Sequence, residues 1–194
     1  MLFRSGLTML AMAAEELAKE RQDWELHVYS SFKIYAWEGV DEQWAPLYEK
    51  LKANPCVVYH GTQPNDVVRD ALLDAHVFVY PSIYAETSCM AIQEALMSGC
   101  LAITTNFGAL PETAAEWAWM FQYDERPDVL VQRTLGCMRQ ALDTYDDPHM
   151  QTILNMQSIY YQQFYSFEGR LASWEHLLKA VIREGAPVQK LVIE

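Results

Sequence analysis

The chain has 194 residues, which suits one domain of ordinary size and leaves no room for a second full nucleotide-binding domain. Its formal charge of −12 argues against nucleic acid or an anionic membrane surface as the main partner, because both reward basic patches. No run approaches the ~18 apolar residues of a membrane span, and residues 1–10 carry charge without a cleavage-site pattern. A cytoplasmic location is therefore expected.

Met1-Leu2-Phe3 reads as the remnant of a first strand. Leu7, Leu10, Ala11, Ala14, Leu17 and Ala18 then recur at i, i+3 and i+4, which makes one face of a helix over residues 6–21. Residues 24–30 alternate Leu26 and Val28 with polar or amphipathic neighbours and predict a strand. Trp44, Leu47, Tyr48 and Leu51 stripe a second helix, residues 56–59 a second strand, and Val67, Val68, Ala71, Leu72 and Ala75 a third helix. His76-Val77-Phe78-Val79-Tyr80 is a short apolar strand stopped by Pro81, which has no backbone donor. Thr87 or Ser88 can cap a helix that runs to Ser98 and stops at Gly99. A strand over 101–104 and a helix starting near Pro111 follow. Trp117 and Trp119 mark a candidate partner surface. Beyond Pro127 the chain turns helical, with segments over 128–144, 148–165 and 167–184. Strand and helix taking turns predict an α/β fold, a Rossmann-like parallel sheet with helices on both faces. The whole of 1–194 reads as one such domain, mostly helical over 127–194.

Glu86 and Glu94 straddle the predicted junction between the 76–80 strand and its helix, where ligands dock in open α/β sheets. A helix starting there aims unpaired N–H groups at the mouth of the sheet, so a diphosphate can bind without a basic side chain. A carboxylate offers two acceptor oxygens, which suits paired hydroxyls such as a ribose diol. Each glutamate alone is ordinary, since Glu favours first turns electrostatically and helix interiors by propensity. Ser82 and Tyr84 end the strand on the ligand side, where turn roles compete with binding. Cys56, Cys89, Cys100 and Cys137 form no Cys-x-x-Cys pair, and the five histidines show no ligand spacing. Neither a metal site nor a disulfide framework is expected. Gly-x-Gly-x-x-Gly, a Walker loop and Gly-x-Ser-x-Gly are all absent.

In order and at the right spacing over about 57–180, the chain resembles the group 1 (family 4) glycosyltransferases. Val58-Tyr59-His60-Gly61 is similar to their strand ending in Gly, and residues 71–82 to a helix, a strand and a Pro-Ser terminator. Glu86-x7-Glu94, Glu94-Ala95-Leu96-Met97-Ser98-Gly99 and Gly108-Ala109-Leu110-Pro111-Glu112 follow, and Phe164-Tyr165-Ser166-Phe167 precedes a last helix with Trp174. The resemblance is to the second, donor-binding domain of the GT-B fold. It implies retaining transfer of a hexosyl group from a nucleotide-diphosphate sugar, without a metal or other cofactor. In that reading Glu86 is catalytic and holds sugar hydroxyls, amides near Thr87, Ser88, Cys89 and Met90 face the diphosphate, and Glu94 clasps the ribose. Arg4, Gly61 and Ser82 complete the substrate-binding set.

Three departures stand out. Thr87, Ser88 and Cys89 occupy places where the family has Gly, an aromatic and Gly, and Ser5 stands at a usual Lys, with Arg4 one position away. The first domain, which carries most of the acceptor site, has no counterpart. A separate N-terminal domain, or self-association through Tyr160, Tyr161, Phe164 and Phe167, is the partner expected alongside nucleotide-sugar and an unknown acceptor. The alternatives are a non-catalytic nucleotide-binding or interaction module, and an unrelated flavodoxin-like regulatory domain.

Overall fold

Helix α1 (Leu7–Glu20) forms on the predicted stripe and buries Leu7, Leu10, Ala11, Ala13, Ala14 and Leu17. The structure, a computed structural model, describes residues 6–182, so the strand expected at residues 1–3 lies outside the described residues. Strand β1 (Leu26–Val28) leads through a 3₁₀ turn (Phe32–Tyr35) and the short α2 (Glu38–Glu42) to α3 (Ala45–Ala53) and β2 (Val57–Tyr59). Then come α4 (Asn65–Asp74), β3 (Val77–Tyr80), α5 (Met90–Met97), β4 (Leu101–Thr105), α6 (Leu110–Ala114) and β5 (Trp119–Phe121). Three helices finish the described chain: α7 (Pro127–Thr144), α8 (Pro148–Tyr165) and α9 (Phe167–Val181).

All pairings are parallel, as strand-helix alternation predicts, but the described strands form two sheets rather than one. β1 pairs with β2, Leu26 opposite Val57, and β3-β4-β5 form the second sheet, with Val77 opposite Leu101 and Ile103 opposite Trp119. The two-residue period of a strand sorts the second sheet's side chains. Phe78, Tyr80 and Ala102 pack with Ile92 and Leu96 of α5, whereas Val77, Val79, Leu101 and Ile103 pack with Leu130 and Ala141 of α7. Every residue of β4 is buried, as a strand covered on both faces must be. Around the first sheet, α1 packs on Val131, Leu135 and Met138 of α7 and on Tyr48 and Leu51 of α3.

A carboxylate knots the stretch between β1 and α3. Asp41 is buried and accepts bonds from Ser31 Oγ (2.8 Å), Phe32 N (2.8 Å) and Tyr48 Oη (2.9 Å). Burial pushes its pKa up, but the two hydroxyls and the amide together outweigh burial and hold the carboxyl below its usual value.

Helix α8 serves the far end of α5. Gln157, fully buried, donates to Leu96 O (3.1 Å) and Cys100 O (2.9 Å), and Ser158 Oγ donates to Met97 O (2.7 Å). Leu96 O and Met97 O belong to the last turn of α5, whose carbonyls lack full intrahelical pairing, and Cys100 O lies in the link to β4. Gln157→Ala leaves Leu96 O its bond from Gly99 N (3.2 Å) but takes the donor from Cys100 O, and is expected to cost about 1 kcal/mol in urea denaturation; an unchanged midpoint would show that water replaces the amide.

The aromatic residues depart from expectation. Tyr161 is fully buried, its hydroxyl donating to Thr113 O at 2.8 Å, so it belongs to the core and not to a self-association surface. Trp117 packs on Tyr160 (centroids 5.8 Å) and Trp119 lies in the edge strand β5, and both are half-buried. Phe164 and Phe167 are exposed as expected, and α9 buries no residue. Among the described residues no helix is long and apolar enough to cross a membrane.

Candidate functional site

The carboxyl end of β3 is sealed by hydroxyls from the neighbouring strand. Pro81 has no N–H to continue a ladder, and the carbonyls on either side of it accept from Thr104 Oγ1 (to Tyr80 O, 2.8 Å) and Thr105 Oγ1 (to Ser82 O, 2.8 Å). Ser82 is fully buried, and its hydroxyl donates to Tyr84 O (3.2 Å) while accepting from Tyr84 N (3.3 Å). It therefore shapes the loop, the turn role that competed with binding in the sequence.

Beyond that turn the chain carries Glu86, which is held through main chain and side chain. Tyr80 Oη donates to Glu86 Oε1 at 2.9 Å, and Ala109 N donates to Glu86 O at 2.7 Å. Gly108, at φ 62°, lies so close that a Cβ built on it would sit 2.5 Å from Glu86 N. Only a residue without a side chain fits there. The Gly108–Glu112 turn read from sequence thus packs on the backbone of the first glutamate.

Helix α5 starts later than the sequence suggests. Its N-cap is Cys89, and Thr87 and Ser88 lie exposed ahead of it without capping it. Cys89 is buried beneath α5 in the cluster that holds Ile92, Leu96 and Ala102. Burial pushes this thiol's pKa up, against the pull of the Ile92 and Ala91 amides and of the Tyr80 hydroxyl. Gln93 N is bonded to Cys89 O, so the first-turn amides without an intrahelical carbonyl are those of Met90, Ala91 and Ile92, shifted along from the expected Thr87–Met90 set, and those of Ala91 and Ile92 face the Cys89 thiol. The Met90 side chain is exposed.

Glu94 sits about 6 Å along the helix axis from Met90. Arg69 of α4 engages it through Nε and Nη2, both at 2.9 Å from Oε1. This pairing was not anticipated, and no motif around Arg69 signals it. With the Arg69 side chain 57% exposed, the pair contributes at most about 1 kcal/mol, and a ligand can compete for the carboxylate. Bonds to Oε2 are absent among the described residues.

The remaining sequence candidates are Gly61 and Arg4. Gly61 follows β2, beside His60, whose ring stacks on Tyr29 (centroids 4.3 Å) and meets His27 Nδ1 at 3.1 Å. Burial and the neighbouring His27 lower the His60 pKa. Arg4 lies outside the described residues, but Gly6 does not: at φ 71°, a Cβ there would overlap Pro81 O at 1.9 Å. The start of α1 therefore abuts the end of β3. A cavity of about 320 Å³ opens elsewhere, between α1 and α3, lined by Ala11, Glu15, Lys50 and Pro55 among others; neither glutamate lines it. No group of three or more His, Cys, Asp and Glu side chains suited to a metal ion occurs among the described residues.

Chemically, the strand end offers a fixed carboxylate, a short row of helix amides and a second carboxylate one turn further on. Residues 2–140 match the model of the family described as glycosyl transferases group 1. No curated protein matches the chain. Among solved structures, it is similar to a glycosyltransferase from Rickettsia africae ESF-5, with TM-score 0.69 and 15% identity over 91% of this chain and 44% of that one. It is also similar to the pneumococcal O-GlcNAc transferase GtfA in complex with UDP and GlcNAc (TM-score 0.68, 13% identity, 93% of this chain, 34% of that one). A mutant of S. aureus TarM in complex with fondaparinux, alpha-GlcNAc-glycerol and UDP gives TM-score 0.62 and 16% identity over 91% of this chain and 33% of that one. At these identities the likeness is one of fold, and the chain spans less than half the length of each of these three proteins.

Proposed function

Because the chain belongs to the group 1 glycosyl transferases, we propose that it forms the donor-binding half of a retaining transferase that moves a hexosyl group from a nucleotide-diphosphate sugar to an acceptor. The observation that carries this reading is Glu86, fixed by Tyr80, Gly108 and Ala109 just ahead of the first turn of α5. Glu86 meets the sugar hydroxyls. The start of α5, with the Met90 amide foremost, takes the diphosphate and stabilises the charge that grows on it as the sugar departs, commonly the largest single catalytic term. Glu94 clasps the ribose with Oε2 and exchanges Arg69 for a hydroxyl at Oε1. Gly61 and Arg4 are assigned to the substrate-binding set from the family resemblance alone. Helix amides, rather than a bound cation, supply the positive potential in this scheme. The acceptor platform comes from a further domain, and the working location is the cytoplasm.

Calorimetric titration with UDP, other nucleoside diphosphates and their sugar conjugates tests the reading. Glu94→Ala is expected to weaken nucleotide binding roughly ten- to a hundredfold, the loss of one charge-assisted bond. Stability should hardly move, since alanine is the better helix former and the lost surface pair contributes little. Undiminished binding in a less stable protein would overturn the assignment. One observation favours a second reading, a nucleotide-binding module without transfer: Ser5 stands at the usual Lys. Donor hydrolysis separates the two, being absent in such a module.

A further inference from the structure

We propose that Tyr80 is a positioning residue for the sugar end of this site, its phenol locking the Glu86 carboxylate in the pose that meets the sugar. This rests on the reading of Glu86 as a sugar contact. The main chain of Glu86 is already fixed by the Ala109 amide and the close approach of Gly108. What remains free is the side chain, with its three rotatable bonds, and the Tyr80 bond at 2.9 Å removes that freedom at Oε1. Bonds to Oε2 are absent among the described residues, so one oxygen is held and the other is left for a hydroxyl.

Tyr80 is suited to this role by where it stands. It is the last residue of β3, on the face turned to α5, and its ring lies nearly parallel to that of Phe78 (centroids 6.0 Å, 11° between planes). The phenol is aimed by a strand and a stacked ring rather than by a loop. Burial first, then the Cys89 thiol and the Glu86 carboxylate, raise its pKa far above the ordinary range, so it keeps its proton and remains a donor to the carboxylate.

The test uses the intact chain, with UDP, UDP-N-acetylglucosamine and UDP-glucose as probes in calorimetry. The quantity read is the affinity gained when the sugar is attached to UDP. Tyr80→Phe keeps the ring and its packing, so UDP affinity is expected to hold while the sugar increment falls about three- to tenfold, the effect of one lost hydrogen bond. Glu86→Ala should remove the increment, and the double variant should lose no more than Glu86→Ala alone. Equal weakening of UDP and the UDP-sugars by Tyr80→Phe would show a merely structural role and overturn the proposal. So would an intact increment in Tyr80→Phe beside a lost one in Glu86→Ala, which leaves the Glu86 reading standing. Should Glu86→Ala leave the increment untouched, or the unaltered chain show none, the Glu86 reading falls and this proposal with it.

Discussion

Replacing Gly108 with alanine is expected to cost the fold about 3 kcal/mol and to abolish recognition of nucleotide-sugars in the molecules that still fold. The new Cβ would lie 2.5 Å from Glu86 N and 2.7 Å from both Ala85 C and Glu86 O, and all three are backbone atoms that no rotamer change can move. The left-handed φ of 62° adds roughly 1–2 kcal/mol for any residue with a side chain. Relief requires either that the Gly108 turn swing away, breaking the Ala109 N to Glu86 O bond, or that Glu86 shift. A displacement of about 1 Å at a reacting group is enough to lose on the order of a hundredfold in rate. Gly136 supplies the control, because a Cβ there meets nothing within 4 Å. Gly136→Ala in the middle of α7 should stabilise by about 1 kcal/mol. Urea denaturation of both variants measures the contrast, and equal midpoints would refute the close approach.

The second large effect belongs to Asp41, in the stretch between β1 and α3. Asp41→Ala leaves the Ser31 hydroxyl, the Phe32 amide and the Tyr48 hydroxyl without their shared acceptor. Each stranded buried group costs about 1–3 kcal/mol, and with partial rescue by water the total should be near 4 kcal/mol. The pH dependence has a definite sign. The folded-state pKa of Asp41 is depressed, so its contribution is present above the unfolded value of about 4 and is lost as pH falls through the lower folded value. Wild type minus Asp41→Ala should therefore shrink on acidification below about pH 4 and stay flat between pH 5 and 8. A difference that grew in acid would mean that Asp41 is neutral in the fold.

Periodicity carried most of the architecture. The stripe over Leu7–Leu17 and the helices beyond Pro127 emerge within a few residues of their expected bounds, because long amphipathic patterns leave little choice of partner face. Short elements were less legible. β5 was not anticipated, since Trp119-Met120-Phe121 is a three-residue apolar run that periodicity alone cannot assign. At the start of α5 propensity favours Thr or Ser as the cap, whereas the chain has the buried Cys89 there. At the candidate site, spacing revealed the two glutamates and the Gly108 turn. It could not reveal Arg69, which reaches Glu94 from another helix, nor the bond between Tyr80 and Glu86, which depends on which way a loop folds back. Such contacts are tertiary, and nothing local in the chain encodes them.

The thiols, finally, turn the molecule into its own reporter of breathing. Cys100 is fully buried, its Sγ donates to Leu72 O and Ala75 O, and burial pushes its pKa up to about 12. Since the thiolate is the species that reacts, alkylation at this position proceeds only through openings that part α4 from α5. Cys137 is only partly covered and meets reagent sooner. The spread in labelling rates thus records how often the helices beneath the glutamate-bearing surface separate, with no probe added to the protein.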